Sequence, residues 1–270
     1  MASIIDELSE LARLPDADLP LERMAALISA DHQAKTTADD VSQAFNLLAA
    51  SFEVHFSVRA DPFRLTRFIH ELEGFKGNAE NYYAPENSYI DRVLATRRGI
   101  PISLALVHLC LAERLGLKAW GINFPGHVLV GYEALDAAVI DPFSGRQLSH
   151  ADCQTLLKQN LGPRHPLTDQ HLEAASPRAL LLRLIENLKQ HFWRKRDWNA
   201  VERSLRLQRT LTPSAPQWSL QTASVKEMRG DLEAAQQIYR SIIETTSDQE
   251  LKAAAMKRLT AMGASKSTLH

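Results

Sequence analysis

Cysteine is scarce in this chain: two residues in 270, Cys110 and Cys153. That is too few for a disulfide scaffold, and a chain of this length buries a sizeable core without one. No apolar run approaches the roughly 20 residues that a membrane span needs. The first ten residues carry Asp6, Glu7 and Glu10 and no basic stretch, which argues against a secretory signal. Net charge is nearly absent, with 31 basic residues against 32 acidic ones. No global field therefore draws the chain to nucleic acid or to an anionic membrane. A glycine-rich phosphate loop is missing too, since Arg97-Arg98-Gly99-Ile100-Pro101 lacks the glycine spacing and the lysine. His150-Ala151-Asp152-Cys153 offers metal-capable side chains, but there is no second pair at zinc spacing, so a solvated helix start is the simpler reading. The expectation is a cytoplasmic protein with no cofactor, no metal, and neither nucleic acid nor membrane as a partner.

What remains is an ordinary globular composition, 45% hydrophobic and 23% charged, with length for one or two domains. Positions 1–75 read as amphipathic helices. Ile4, Leu8 and Leu11 share a face, as do Leu21, Met24 and Ile28, then Val41, Phe45, Leu48 and Phe52. Asp61-Pro62 opens a further helix with Leu65, Phe68, Ile69 and Leu72 inward, ending at Gly74. These form a helical layer covering something else. After an irregular polar stretch, Ser88 is placed as the N-cap of a short helix, with Asp91 three residues on. Then Gly99 to Gly116 is apolar nearly all round, the mark of a helix buried in the middle of a fold. Pro101 suits its first turn and Gly116 its end. Two or three short strands follow, Ala119 to Phe124, Val128 to Tyr132 and Ala138 to Ile140, which indicates an α+β domain.

From about Pro177 the chain reads as helix throughout. Asp197-Trp198-Asn199-Ala200 recurs as Asp231-Leu232-Glu233-Ala234, and Leu205 aligns with Tyr239 at the same shift. The shift is about 34 residues, with a helix pair per unit, and so resembles the tetratricopeptide repeat. A plain helical bundle is the alternative. Arg194-Lys195-Arg196 reads as a solvated face of a helix in this part. The expected division is 1–172 for helical layer plus α+β core and 173–270 for the helical repeats.

Three residues invite a chemical reading. Ser103 lies in the first turn of the buried helix, where free N–H groups and the helix dipole favour developing negative charge. His127 follows Pro125-Gly126 at the start of a strand. Asp141 ends the next strand, where it can orient a histidine. Nucleophile, base and orienter in that order meet the roles of a triad. Each also has a plain structural use: a first-turn serine caps helices, a histidine can be a satisfied edge residue, and Asp-Pro starts turns. Cys110, further along the same apolar helix, reads as an inert core thiol.

Gly99-Ile-Pro-Ile-Ser103-Leu-Ala105, Asn123-Phe-Pro-Gly-His127 and Ile140-Asp141-Pro-Phe143 together resemble the transglutaminase-like superfamily, with its papain-like fold. More closely they resemble the SirB-type bacterial proteins, which join such a core to tetratricopeptide-like helices. Leu65-Thr-Arg-Phe68-Ile69, Gly74-Phe-Lys-Gly77-Asn78, Tyr82-Tyr83 and Asn87-Ser-Tyr89 fit the same family, so the resemblance runs from about Pro62 to Gly145. It implies that Ser103 takes the place of the catalytic cysteine, His127 that of the histidine and Asp141 that of the aspartate. The departure is Ser103, since a serine hydroxyl needs far stronger base assistance than a thiol.

Two functions follow as expectations. The first is a non-catalytic or weakly active regulatory protein, a pseudoenzyme whose cleft and helical repeats bind a peptide or protein partner. The second is a serine-dependent amide or ester hydrolase or acyl transferase using Ser103, His127 and Asp141.

Overall fold

Apolar periodicity ahead of Gly74 becomes four helices: α1 (Ile4–Leu11), α2 (Leu21–Gln33), α3 (Ala38–His55) and α4 (Pro62–Arg67). Ser3, Thr37 and Asp61 cap α1, α3 and α4 by accepting backbone N–H bonds in the first turn. Leu8, Met24, Ile28, Val41, Phe45, Leu48, Phe52, Leu65, Phe68 and Ile69 are all buried. Leu72 is not; it is 45% exposed. The reason is a π-type turn over Phe68–Leu72, which inserts an extra residue and rotates Leu72 off the apolar face. The computed structural model describes residues 3–33, 36–136 and 138–267.

A two-residue strand, β1 (Lys76–Gly77), pairs in parallel with β2 (Arg98–Gly99). Between them lies α5 (Ile90–Thr96). Its N-cap is Tyr89, not Ser88. The amide of Ser88 is spent in a tight turn on the Pro85 carbonyl, at 2.9 Å, and the amide of Ile90 donates instead to Ser29 Oγ on α2. The cap of α5 is thus supplied by tertiary packing. Arg97 ends α5 in the left-handed region, with φ 58°.

The buried helix is α6 (Pro101–Arg114), and every residue from Pro101 to Ala112 is buried. It packs on α2, α3, α4 and α5 and on the sheet strands β3 (Ala119–Ile122) and β4 (Leu129–Tyr132). Gly116, at φ +68°, takes the left-handed position just past its end. Arg114 ties that end to the helical layer: its guanidinium pairs with Glu22 of α2 at 2.5 Å and donates to Asn46 of α3 at 2.9 Å.

The sheet is antiparallel in the order β3-β4-β5-β6, with β5 at Val139–Asp141 and β6 at Arg146–Leu148. The last strand escaped the sequence reading because Arg146 and Gln147 are polar and exposed, leaving only Leu148 inward. One face of the sheet packs through Ile122, Leu129, Val139 and Leu148 on Cys153 and Leu157 of α7 (His150–Leu161).

Two compact units divide the chain, Met1–Asn187 and Leu188–His270, with α8 (Pro177–Lys195) spanning the division. The second unit carries α9 (Trp198–Leu211), α10 (Gln217–Met228), α11 (Leu232–Thr245) and α12 (Gln249–Ser267). Each packs on its neighbour in sequence. The helices α9 and α11 are each 14 residues long, and their starts at Trp198 and Leu232 keep the spacing of the sequence echo. Leu205 and Tyr239, equivalent by that shift, are both buried. Asp197 caps α9 through the Ala200 amide, whereas Asp231 makes no such cap on α11.

Candidate functional site

The β4–β5 register sets Val130 opposite Ile140, so Asp141 closes β5 across from the start of β4. His127 lies just before β4, in a turn whose geometry is held by its own amide donating to the Phe124 carbonyl. The turn is pinned from α7 as well, where Asn160 Nδ2 donates to the Pro125 carbonyl at 2.8 Å. The two side chains meet there: His127 Nε2–H donates to Asp141 Oδ1 at 2.7 Å, with 14% and 15% of their side chains exposed. The other ring nitrogen, Nδ1, has no hydrogen-bond partner among the described residues. Asp141 is held further by the Phe143 amide at 2.9 Å and the Ser144 hydroxyl at 2.6 Å. Burial pushes its carboxyl up, but these bonds and the neighbouring His127 outweigh burial and leave it below the usual carboxylate value.

Ser103 does not join them. Among the described residues no hydrogen bond links Ser103 to His127. Its side chain is fully buried. The hydroxyl accepts the Ile100 amide at 3.0 Å and donates to the Asn87 carbonyl at 2.5 Å, with the Ile100 carbonyl 3.1 Å away. These bonds tie the hydroxyl to the backbone at the helix start, the structural use open to a first-turn serine.

Asn87 belongs to the loop that covers this helix start. Its side chain is itself fully engaged: Asn78 Nδ2 donates to its Oδ1, while its Nδ2 donates to the carbonyls of Asn81 and Tyr82. The loop is stitched down at its root too, with the Asn78 amide on the Gly99 carbonyl and the Gly77 amide on the Phe143 carbonyl, each at 2.9 Å. Gly77 lies under the Phe143 ring; a Cβ there would stand 2.3 Å from it. Gly77→Ala is therefore expected to displace Phe143 and to cost about 2 kcal/mol, read as a lowered midpoint in thermal unfolding.

An aromatic path leads out from the dyad. Phe143 is edge-on to His127, with centroids 6.4 Å apart; Tyr82 lies 6.0 Å from Phe143; and Tyr83, 62% exposed, lies 5.3 Å from Tyr82.

A second polar chain runs through the core. His70 Nδ1 donates to the Phe75 carbonyl at 2.9 Å, which leaves His70 Nε2 as acceptor. His108 Nε2–H must then donate to it, at 3.0 Å, and His108 Nδ1 accepts from the Tyr132 hydroxyl at 2.9 Å. Burial lowers both imidazoles, His108 far more than His70, and the Asp141 charge opposes the shift in each. The sequence reading missed this chain. A histidine within an apolar helix signals a buried polar group but not its partners.

Cys110 is buried, and burial raises its thiol well above the ordinary value; burial raises Cys153 to about 11. Asp152 is spent on the amide and hydroxyl of Ser149 in a capping box. Among the described residues no group of three His, Cys, Asp or Glu side chains could hold a metal ion. Also among them, no helix is long and apolar enough to cross a membrane.

Comparison with known proteins agrees with this layout. Residues 21–186 match the family model described as the transglutaminase-like superfamily. A UPF0162 protein of Xylella fastidiosa is 30% identical over 222 residues, covering 77% of this chain and 78% of the relative. A UPF0162 protein of Pseudomonas aeruginosa is 39% identical over 118 residues, 44% of this chain and 43% of the relative. F-box only protein 21 of Mus musculus is 37% identical over 97 residues, 32% of this chain and 16% of that protein. No solved structure matches.

Proposed function

Because this chain belongs to the transglutaminase-like superfamily, among the SirB-type bacterial proteins, we propose that it is a non-catalytic, regulatory member whose cleft binds a peptide or protein segment. The observation that carries the reading is the engagement of Ser103. A nucleophile must present its oxygen to a base and to substrate. The Ser103 hydroxyl is instead committed to two backbone groups, beneath a loop whose own hydrogen bonds are satisfied. Attack would require breaking these bonds inside an apolar environment, where unpaired polar groups cost about 1–3 kcal/mol each. The aromatic path from Tyr83 to Phe143 supports binding, since such side chains supply large contact area at low entropic cost. The helices α9 to α12, with the echo of α9 in α11, provide a second binding surface of the tetratricopeptide type.

One observation favours the serine-hydrolase or acyl-transferase alternative: the His127–Asp141 pair retains the form of a base and its orienter. Labelling decides between them. Full-length protein incubated with a fluorophosphonate probe is expected to carry no adduct on Ser103 by peptide mapping. A Ser103→Cys variant in native buffer is expected to react with iodoacetamide no faster than Cys110 and Cys153. An adduct at position 103 that His127→Ala abolishes would overturn the non-catalytic reading.

A further inference from the structure

Half-buried arginines elsewhere in the first unit meet carboxylates or backbone carbonyls, Arg98 donating to the carbonyls of Gly74 and Arg97 at 3.3 and 3.1 Å. Arg97 pairs with Glu73 at 2.8 Å, Arg114 with Glu22 at 2.5 Å and Arg178 with Asp16 at 2.6 Å. Arg183, on α8, differs. It is half-buried, and burial lowers its pKa, so its cation is partly stripped of water. Yet among the described residues no carboxylate lies within ion-pair distance of it. One side-chain bond holds it: Nη1 donates to Asn123 Oδ1 at 2.7 Å. A guanidinium has five N–H donors in a planar fork shaped for a carboxylate. Desolvating a cation without a counter-charge is costly, and such a cost is offset when an anion arrives.

Its position gives this unmatched charge a use. Asn123 is exposed and begins the Asn123–His127 segment that carries the dyad histidine. Tyr82 is close enough for its phenol to share the field of Arg183, and its ring leads through Phe143 to His127. Arg183, Asn123 and Tyr82 are thus linked by contact and field to the segment and the aromatic path that lead to His127.

We propose that Arg183 reads a carboxylate on the segment bound in the cleft, so that the protein selects acidic peptides or a chain's C-terminal carboxylate. This rests on the reading of the cleft as a peptide-binding site.

The test uses full-length protein and two pools of fluorescent octapeptides of mixed Ala, Ser, Tyr and Leu background, followed by anisotropy. One pool is blocked at both ends and carries a single Asp or Glu at each position in turn. The other has no acidic side chain and a free C-terminus. The wild type is expected to favour the acid at one position of the first pool, or the free terminus of the second, over the fully blocked neutral peptide. The preferred pool names the source of the carboxylate. Arg183→Gln should erase roughly ten- to a hundredfold of that preference while leaving the affinity for neutral peptide in place. Arg183→Lys, which keeps the charge and loses the fork, should retain part of it. Arg13→Gln, a change of equal charge at an exposed site, should alter nothing. Raised salt should weaken the acid preference wherever a cation stands at position 183 and leave Arg183→Gln unaffected. If peptides bind but acidic and neutral ones bind equally, or if Arg183→Gln keeps the preference, the assignment of Arg183 is overturned and the peptide-binding cleft stands. If no peptide binds the wild type at millimolar concentration, both readings fall.

Discussion

His108→Ala is expected to destabilise the first unit by about 3–5 kcal/mol, measured by urea unfolding at about pH 7.5. The side chain is fully buried on α6. Truncation leaves an aromatic-sized cavity, which alone costs about 3 kcal/mol or more. It also orphans two polar atoms, His70 Nε2 and the Tyr132 hydroxyl, each left without its partner in a region closed to water. A loss under about 1 kcal/mol would mean that the His70–His108–Tyr132 chain does not bind the native fold together. The same chain sets a pH response. An imidazole held below its ordinary 6.5 stays neutral in the native fold and takes its proton readily only on unfolding. Stability complete above pH 6.5 is therefore lost as pH falls below it, by at most about 1.4 kcal/mol per pH unit for each histidine. In His108→Ala the slope between about pH 6.5 and 5 should become shallower, because one of the two groups is gone.

Asp141→Ala carries the second large effect. It removes a carboxylate that accepts the His127 imidazole, the Phe143 amide and the Ser144 hydroxyl. The turn from Pro142 to Gly145 loses its anchor and the His127 ring loses its orientation. A loss of about 3 kcal/mol is expected, a fall in Tm of roughly 6–12 °C for a unit of this size. Its acid window is separate from that of the histidines. A carboxyl held below its ordinary 3.8 in the native fold contributes stability that is complete above that pH and is lost as pH falls through the lower native value. The variant should be flatter than wild type below about pH 4 and steeper between about pH 5 and 6.5, because the charge that favours protonated His70 and His108 is gone. Peptide affinity should fall at least roughly tenfold, because Phe143 and His127 are no longer held. Unchanged affinity would place the binding surface elsewhere.

The reach of the sequence reading shows best in particular elements. The all-apolar run from Gly99 to Gly116 required a buried helix and produced one, since an unbroken series of positions that avoid water leaves no other solution. The pairing of His127 with Asp141 was legible from order and strand ends. The state of Ser103 was not. Residue type and place allowed a nucleophile or a cap, and the choice rests with Asn87, well upstream in the chain, whose carbonyl takes the hydroxyl proton. Ser88 failed as a cap for the same kind of reason: Ser29, far from Ile90 in sequence, supplies the bond that local patterning assigned to it. Nothing in the sequence singles out Arg183, because the absence of a carboxylate is a property of a neighbourhood and not of a residue.

The sequence alone therefore determined which segments hide from water, which of them are helical, and which two strand ends bring a histidine to an aspartate. Those outcomes depend on burial and local geometry, which period and composition encode directly. Only the tertiary structure decided which hydrogen-bonding groups were already spent. A hydroxyl, an amide or a guanidinium has the same chemistry wherever it stands, and whether Ser103 is a strut and Arg183 an unmatched cation depends on partners brought near by the fold.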